Sequence, residues 1–382
     1  MSQDDCVSSL CNGTTYKRTS DTIKQYENAE IILLTIIMPV ILIFGVIGNV
    51  AFLYVVTRIS WMHTIPNKYL SHLAVADIIL LLAAIGEKLA RYLLSPYAYD
   101  EAILGYFGCV VIPVMKYSGY YASMLFVTLV TLERYYAVCR PLDRFLNNTN
   151  KRSSQVIIGA WTTSSVLGCT QIPATCNIIT YCILWTIEEL QQESNLPESI
   201  GYCHPVNMLH WLEDVSIIIQ TITFLFAMIC NAILYIEIIR TLNRRVGVMD
   251  INTADREQRG VTLHRLESNP GQNHREVTRH MRDRIARMLI VNGTIFFLLM
   301  APFQIIMLAK AFTTKDPLVW EKEFGAWMQI FRVLTYLNSM VNPIVFNVTN
   351  PRYRKAFQEA FLCSRLKEDN TSVVVLRPSH DQ

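Results

Sequence analysis

Seven stretches of this chain are apolar at nearly every position, and polar, charged segments separate them. Each is long enough to cross a hydrocarbon layer ~30 Å thick, which takes ~20 helical residues. The first runs from about Ile31 to Thr57 and carries no charge. The second, about Tyr69 to Arg91, has Asp77 at its middle and Glu87 and Lys88 toward its far end. The third, about Phe107 to Cys139, holds Lys116 early and Glu133-Arg134 late. The fourth and fifth run from about Ser154 to Cys176 and from about Val206 to Leu242. The sixth, about Ala286 to Ala309, is uncharged, and the seventh, about Phe324 to Thr349, has Arg332 as its only basic residue. The pattern predicts an all-α membrane protein. Its seven-transmembrane helix bundle covers 31–349, between an N-terminal segment, 1–30, and a short amphipathic eighth helix, 350–363. A disordered tail, 364–382, completes the chain.

The loops give the orientation, because Lys and Arg collect on the cytoplasmic side. No Lys or Arg occurs between Ser153 and Ile239, and the loop inside that stretch carries Glu188, Glu189, Glu193 and Glu198. The third interhelical loop on the other side, about 243–280, is rich in Arg, including Arg244, Arg245, Arg256, Arg265 and Arg275. Arg140, Arg144, Lys151 and Arg152 follow the third span. The basic loops therefore belong inside, and the N-terminus outside, of a multi-pass plasma-membrane protein. From about Val246 to Glu276 the sequence is polar and mixed in charge, and reads as a mobile loop rather than a domain.

Composition narrows the functions. Charged residues make up 17% of the chain, below the roughly 25% of soluble domains. A net charge of +3 gives no support to a nucleic-acid partner. The ten cysteines include no CxxC pair and no Cys/His cluster at ligand spacing, so neither zinc nor redox chemistry is indicated. No nucleotide-binding glycine loop or hydrolase elbow is present, and an enzyme is not expected. Met1 to Glu30 is polar, without the apolar core of a signal peptide. The absence of an internal repeat argues against transporters built on duplicated halves.

Two groups stand out chemically. Asp77 is a carboxylate at mid-membrane depth, where ionisable groups are costly and functional by default. Asn49, Ser123, Asn338 and Asn342 lie at similar depth, and such oxygens suit a hard cation. Asp77, Ser123, Asn338 and Asn342 are thus a candidate site for an allosteric sodium ion, with Asp77 as the metal ligand and no other cofactor. A purely structural polar network is the alternative. Glu133-Arg134-Tyr135 ends the third span, and Arg134 stands 25 residues after Cys109. Trp161 in the fourth, Pro302 in the sixth and Asn342-Pro343 in the seventh strengthen that signal.

Gly48-Asn49, Leu73-Ala74-Val75-Ala76-Asp77, Cys109, Glu133-Arg134-Tyr135, Trp161, Phe296 with Pro302, and Asn342-Pro343-Ile344-Val345-Phe346 together resemble the helix-by-helix signatures of rhodopsin-like G-protein-coupled receptors. They run in order from about Ile31 to Cys363. Gly105-Tyr106-Phe107-Gly108-Cys109, continuing to Tyr117, together with Gly201-Tyr202-Cys203 and Arg287-Met288-Leu289, is similar to thyrotropin-releasing-hormone receptors and neighbouring neuropeptide receptors. The resemblance implies a disulfide from Cys109 to Cys203, which lies 24 residues before Ala227. Cys6, Cys11, Cys176 and Cys182 remain as further outer partners of undetermined pairing. It also implies that Glu133, Arg134, Tyr135 and Tyr235 couple the receptor to a heterotrimeric G protein, of the Gq class, as the sixth helix swings outward.

Several positions depart from the family. Met300 stands where a Trp is usual, two residues before Pro302. Ala227 replaces a Pro in the fifth span, Phe346 a Tyr in the seventh, and Arg282 stands where many relatives place an acid that restrains Arg134. These departures leave open high basal activity or a weak or silent receptor.

On the outer half, Glu87, Lys116, Tyr117 and Arg332 face the central cavity. Amine receptors carry an Asp where this chain has Lys116, so a monoamine ligand is disfavoured. Opsins need a Lys in the seventh span, and none lies between Glu323 and Arg354. In thyrotropin-releasing-hormone receptors the residues matching Tyr117 and Arg332 contact the peptide. Glu87 can match one of the two cations Lys116 and Arg332, leaving the other for a ligand carbonyl, terminal amide or carboxylate. The expected ligand is a short, amidated extracellular peptide, inserted C-terminus first. Alternatively, Glu87 and Lys116 neutralise each other and Arg332 snorkels outward. The competing functions are a non-signalling decoy or scavenger receptor, motivated by Met300, Phe346 and Ala227, and a channel or transporter.

Five sequons occur, at Asn12, Asn147, Asn292, Asn347 and Asn370, and the topology exposes only Asn12 to glycosylation. From Pro351 to Leu362 an amphipathic stretch turns Tyr353, Phe357, Phe361 and Leu362 toward lipid and Arg352, Arg354 and Lys355 toward headgroups. Cys363, directly after it, is a candidate for palmitoylation.

Overall fold

The structure, a computed structural model, describes residues 16–19, 26–95, 97, 100–141, 150–184, 199–209, 211–258, 270–313 and 317–362. Among the described residues eight principal helices follow one another: α1 Asn28–Arg58, α2 Ile65–Leu94, α3 Phe107–Cys139, α4 Asn150–Cys169, α5 Trp211–Gln258, α6 Pro270–Phe312, α7 Pro317–Thr349 and α8 Pro351–Leu362. Three short strands of the described residues, β1 Tyr16–Thr19, β2 Asn177–Leu184 and β3 Ser199–His204, form one sheet. In it β1 runs parallel to β2, and β2 antiparallel to β3. β1 lies within the polar N-terminal segment, 1–30.

Helices α1–α7 form one bundle with α3 at its centre, touching α2, α4, α5 and α6. Its interior holds Phe52, Leu81, Tyr121, Phe126 and Phe296, all buried, while Phe44, Ile158, Phe226, Leu298 and Val348 are exposed around the circumference. Large apolar side chains facing outward on successive helices are what a lipid surround requires. By length and composition α1, α2, α3, α5 and α6 are apolar enough to cross a membrane. α4 falls short because it opens on Asn150, Lys151, Arg152, Ser153, Ser154 and Gln155. α7 falls short because it carries Arg332, Asn338, Ser339 and Asn342, of which the last three are buried. α5 and α6 continue well past the lipid-length segments, through 243–258 and from 270 onward. Hydropathy marks only the part of a helix that lipid surrounds.

Prolines shape the helices. Single π-helical turns occur at Leu33–Ile37 and Phe107–Val111, just ahead of Pro39 and Pro113. A proline has no N–H for the carbonyl four residues back, and a π turn re-registers the ladder. In α7, Pro343 leaves the Ser339 carbonyl without its helical donor. The Asn49 side chain of α1 donates to that carbonyl at 3.0 Å and to the Gly45 carbonyl at 2.8 Å. The Asn-to-proline pairing across two helices thus fastens α1 to α7.

Close approaches set the helix spacing. A Cβ on Gly119 of α3 would lie 3.0 Å from the Leu80 backbone nitrogen and 3.1 Å from the Ala76 carbonyl oxygen on α2. Neither backbone atom can move without the helix. Gly119→Val should therefore lower stability by ~1–3 kcal/mol, the usual cost of overpacking. Thermal unfolding of the detergent-solubilised protein would show it as a reduced midpoint, and an unchanged midpoint would mean the α2–α3 contact is looser than described.

Candidate functional site

A cavity of about 660 Å³ opens at the end of the bundle that carries the β-sheet. The Cys109–Cys203 disulfide, with Cα atoms 5.5 Å apart, ties β3 to the first turn of α3. Tyr202, Cys203 and His204 consequently line the cavity from above. The disulfide implied by the family resemblance is present. Cys176 is a free thiol, and Cys6 and Cys11 lie outside the described residues, as does the side chain of Cys182.

All four residues assigned to the cavity from the sequence line it: Glu87 from α2, Lys116 and Tyr117 from α3, Arg332 from α7. The Lys116 ammonium lies 3.8 Å from Glu87 and 5.2 Å from the centre of the Tyr117 ring. Arg332 does not snorkel away. Its guanidinium donates to the Gln329 side chain at 3.2 Å and lies 5.8 Å from the Phe303 ring centre. Two features were missed. Glu87 also forms an ion pair with Arg91, one helical turn away. Lys88 lines the same cavity, and its adjacency to Glu87 was the only sequence signal for it. Toward the floor, Gln304 of α6 donates to the Tyr120 hydroxyl at 3.0 Å. The acidic loop residues Glu188, Glu189, Glu193 and Glu198 lie outside the described residues.

Below the cavity, Asp77 is fully buried. Its carboxylate accepts from Ser123 at 2.7 Å, Ser339 at 2.9 Å and Asn342 at 2.7 Å. The Asn292 side chain of α6 donates to the side-chain amide oxygen of Asn342 at 3.1 Å and so joins the network. Ser339 and Asn292 are additions to the set read from the sequence. Asn338 is buried beside them, but its side-chain nitrogen has no hydrogen-bond partner, and it makes no bond to Asp77. Ser339 occupies the place expected for it, because one residue of helical phase decides which side chain meets Asp77.

At the opposite end of the bundle, Glu133, Arg134 and Tyr135 close α3, with Arg134 buried. Thr131 donates to the Tyr235 hydroxyl at 3.2 Å. A Cβ on Gly293 of α6 would lie 1.6 Å from that same hydroxyl, so Tyr235 reaches α6 only because position 293 has no side chain. Val138, Ile238 and Leu242 form an apolar cluster there, with Tyr135 and Ile290 packed against it. Ala227 leaves α5 unbroken, and Asn231 donates to its carbonyl at 2.8 Å and to Thr128 at 2.8 Å. Met300 is fully buried. The Arg282 side chain lies outside the described residues.

Helix α8 corrects one assignment. Tyr353 does not face lipid: it is buried, its hydroxyl donates to Asn67 at 2.6 Å, and its ring stands 6.0 Å from Phe346 and 6.1 Å from Phe52. Phe346 therefore fills an aromatic stack in which a hydroxyl is not needed for packing. Ala356 and Ala360 are buried on the same face, and the small side chains let α8 lie against α1. Phe361 remains exposed. Cys363 and Asn12, with Asn147 and Asn370, lie outside the described residues. Asn292 is buried and Asn347 lies within α7.

A seven-helix bundle, a disulfide-tethered sheet over one end and a buried carboxylate network below it define a class of membrane receptor. The description "7 transmembrane receptor (rhodopsin family)" matches residues 48–346, and the chain belongs to that family. As a member of that family it is a receptor and not an enzyme. It is similar to the thyrotropin-releasing hormone receptor of Mus musculus, at 26% identity over 368 residues, 95% of this chain and 86% of the relative. The corresponding receptor of Gallus gallus is 27% identical over 355 residues, 91% and 82% of the two chains. Neuromedin-U receptor 2 of Mus musculus is 27% identical over 329 residues, 85% and 74%.

Proposed function

We propose that the chain is a plasma-membrane receptor, N-terminus outside, that takes a short peptide into the 660 Å³ cavity and activates a G protein at the other face. The convergence of Glu87, Lys116, Tyr117 and Arg332 on that cavity carries the reading. A cavity of this size with a few placed charged groups is large enough to take the end of a peptide. Relatives named for thyrotropin-releasing hormone and neuromedin-U support it, and the family resemblance favours the Gq class. Signal passes when α6 moves outward, parting Ile290 from the Val138, Ile238 and Leu242 cluster. A screen of neuropeptides against expressing cells, read as intracellular calcium and cAMP, tests this. A peptide-dependent calcium rise is expected, and ion flux without any G protein would overturn it.

An allosteric sodium ion at Asp77 belongs to the same proposal. The Asp77, Ser123 and Ser339 oxygens converge within hydrogen-bond distance, the hard donor set such a cation prefers. They would hold it, and its charge would favour one helix arrangement. Sodium should lower agonist affinity in the wild type and lose that effect in Asp77→Asn. Equal insensitivity of both to sodium would leave Asp77 as a structural polar centre.

A further inference from the structure

We infer that the ligand presents a carboxylate, not an amide, to Lys88 and Arg332; this rests on the peptide-receptor reading above. One wall of the cavity is strongly basic. Helices α2, α3 and α7 bring Lys88, Arg91, Lys116 and Arg332 to it. Glu87 faces them, but its charge is already engaged by Arg91 and by Lys116 at 3.8 Å. Glu101 lies 3.9 Å from Arg91. Among the described residues neither Lys88 nor Arg332 has a carboxylate within ion-pair distance. The charges of Arg332, Glu87, Lys116 and Arg91 all bear on Lys88.

The remaining charged lining groups stand on other helices of the same cavity. Glu30, in the first turn of α1, accepts the Glu27 backbone N–H at 3.2 Å. Glu213 stands in the first turn of α5, and Lys310 in the last turn of α6. Among the described residues Lys88, Arg91, Lys116 and Arg332 therefore share this wall with only Glu87 and Glu101, and an excess of positive charge in low dielectric is costly until an anion arrives. An amide supplies one neutral acceptor oxygen. A carboxylate supplies two oxygens and a full charge, taken bidentately by the Arg332 fork with Lys88 as a point charge beside it. The carboxylate can come from a peptide C-terminus or from an acidic side chain.

The test uses full-length receptor in lipid nanodiscs and a set of short peptides, each made in three forms. These are the free acid, the C-terminal amide, and the amide with an added Asp. Binding is read by thermal stabilisation and by displacement of the best hit. Carboxylate-bearing forms are expected to bind at least ~10-fold more tightly than plain amides, the difference between a charged and a neutral hydrogen bond. Preference for the free acid places the carboxylate at the C-terminus, and preference for the Asp-amide places it on a side chain. Lys88→Gln should erase most of the preference, and Lys88→Arg should retain it. Plain amides binding as well as the acids would overturn the inference and leave the peptide receptor standing. An acid preference unmoved by Lys88→Gln would likewise overturn it. Binding by none of the three forms would bring down the peptide reading and this inference together.

Discussion

Arg332→Ala should weaken agonist potency by roughly 2–4 kcal/mol, the range for truncating one partner of a buried charged hydrogen bond. The guanidinium lines the cavity, hydrogen-bonded to Gln329 and close to the Phe303 ring. Among the described residues its remaining N–H groups have no partner, and no carboxylate competes for them. Arg332→Lys should restore only part of the loss, because an ammonium lacks the planar fork that takes two oxygens at once. Concentration–response curves at matched surface expression would measure both. Unchanged potency in Arg332→Ala, or a monoamine or lipid as the true agonist, would contradict this use of the cavity.

Arg134→Ala should abolish signalling while ligand binding at the surface persists. Arg134 is buried at the end of α3 away from the cavity, so its loss does not touch the ligand. Tyr235 stands nearby, joined to Thr131 and packed against Gly293. In the proposed mechanism outward movement of α6 takes Gly293 from the Tyr235 hydroxyl and exposes Arg134 to the G protein. Radioligand or fluorescent-peptide binding measured beside second-messenger output separates the two effects. Normal signalling from the variant would require a different coupling group.

The bundle was legible because a lipid layer imposes a length and a uniform polarity that can be read position by position. The charged cavity residues were legible too: Glu87, Lys116 and Arg332 are exceptions in apolar runs, and exceptions there have to face inward. Rotational phase was harder to read. Asn338 and Ser339 are neighbours, yet only Ser339 reaches Asp77, and Pro343 perturbs the helix close by. The same uncertainty hid Lys88 beside Glu87. Tyr353 was misplaced for a different reason. An amphipathic pattern shows that α8 has an apolar face, but it does not say whether that face meets lipid or protein. Here Asn67, Phe52 and Phe346 supply a protein surface with a polar acceptor for the hydroxyl. The sheet was not legible at all, since β1 is four residues long and gains its hydrogen bonds only from a strand far along the chain.

Met300, Ala227 and Phe346 bear on whether binding is followed by signalling. Each is buried and packed, so none is a defect of folding. The most direct measurement is nucleotide exchange on purified G proteins of each class by the receptor in nanodiscs, with and without the peptide that binds it. The account predicts peptide-dependent exchange, greatest on the Gq class and absent in Arg134→Ala. Saturable peptide binding with no exchange on any class would contradict it and mark the chain as a receptor that binds without signalling.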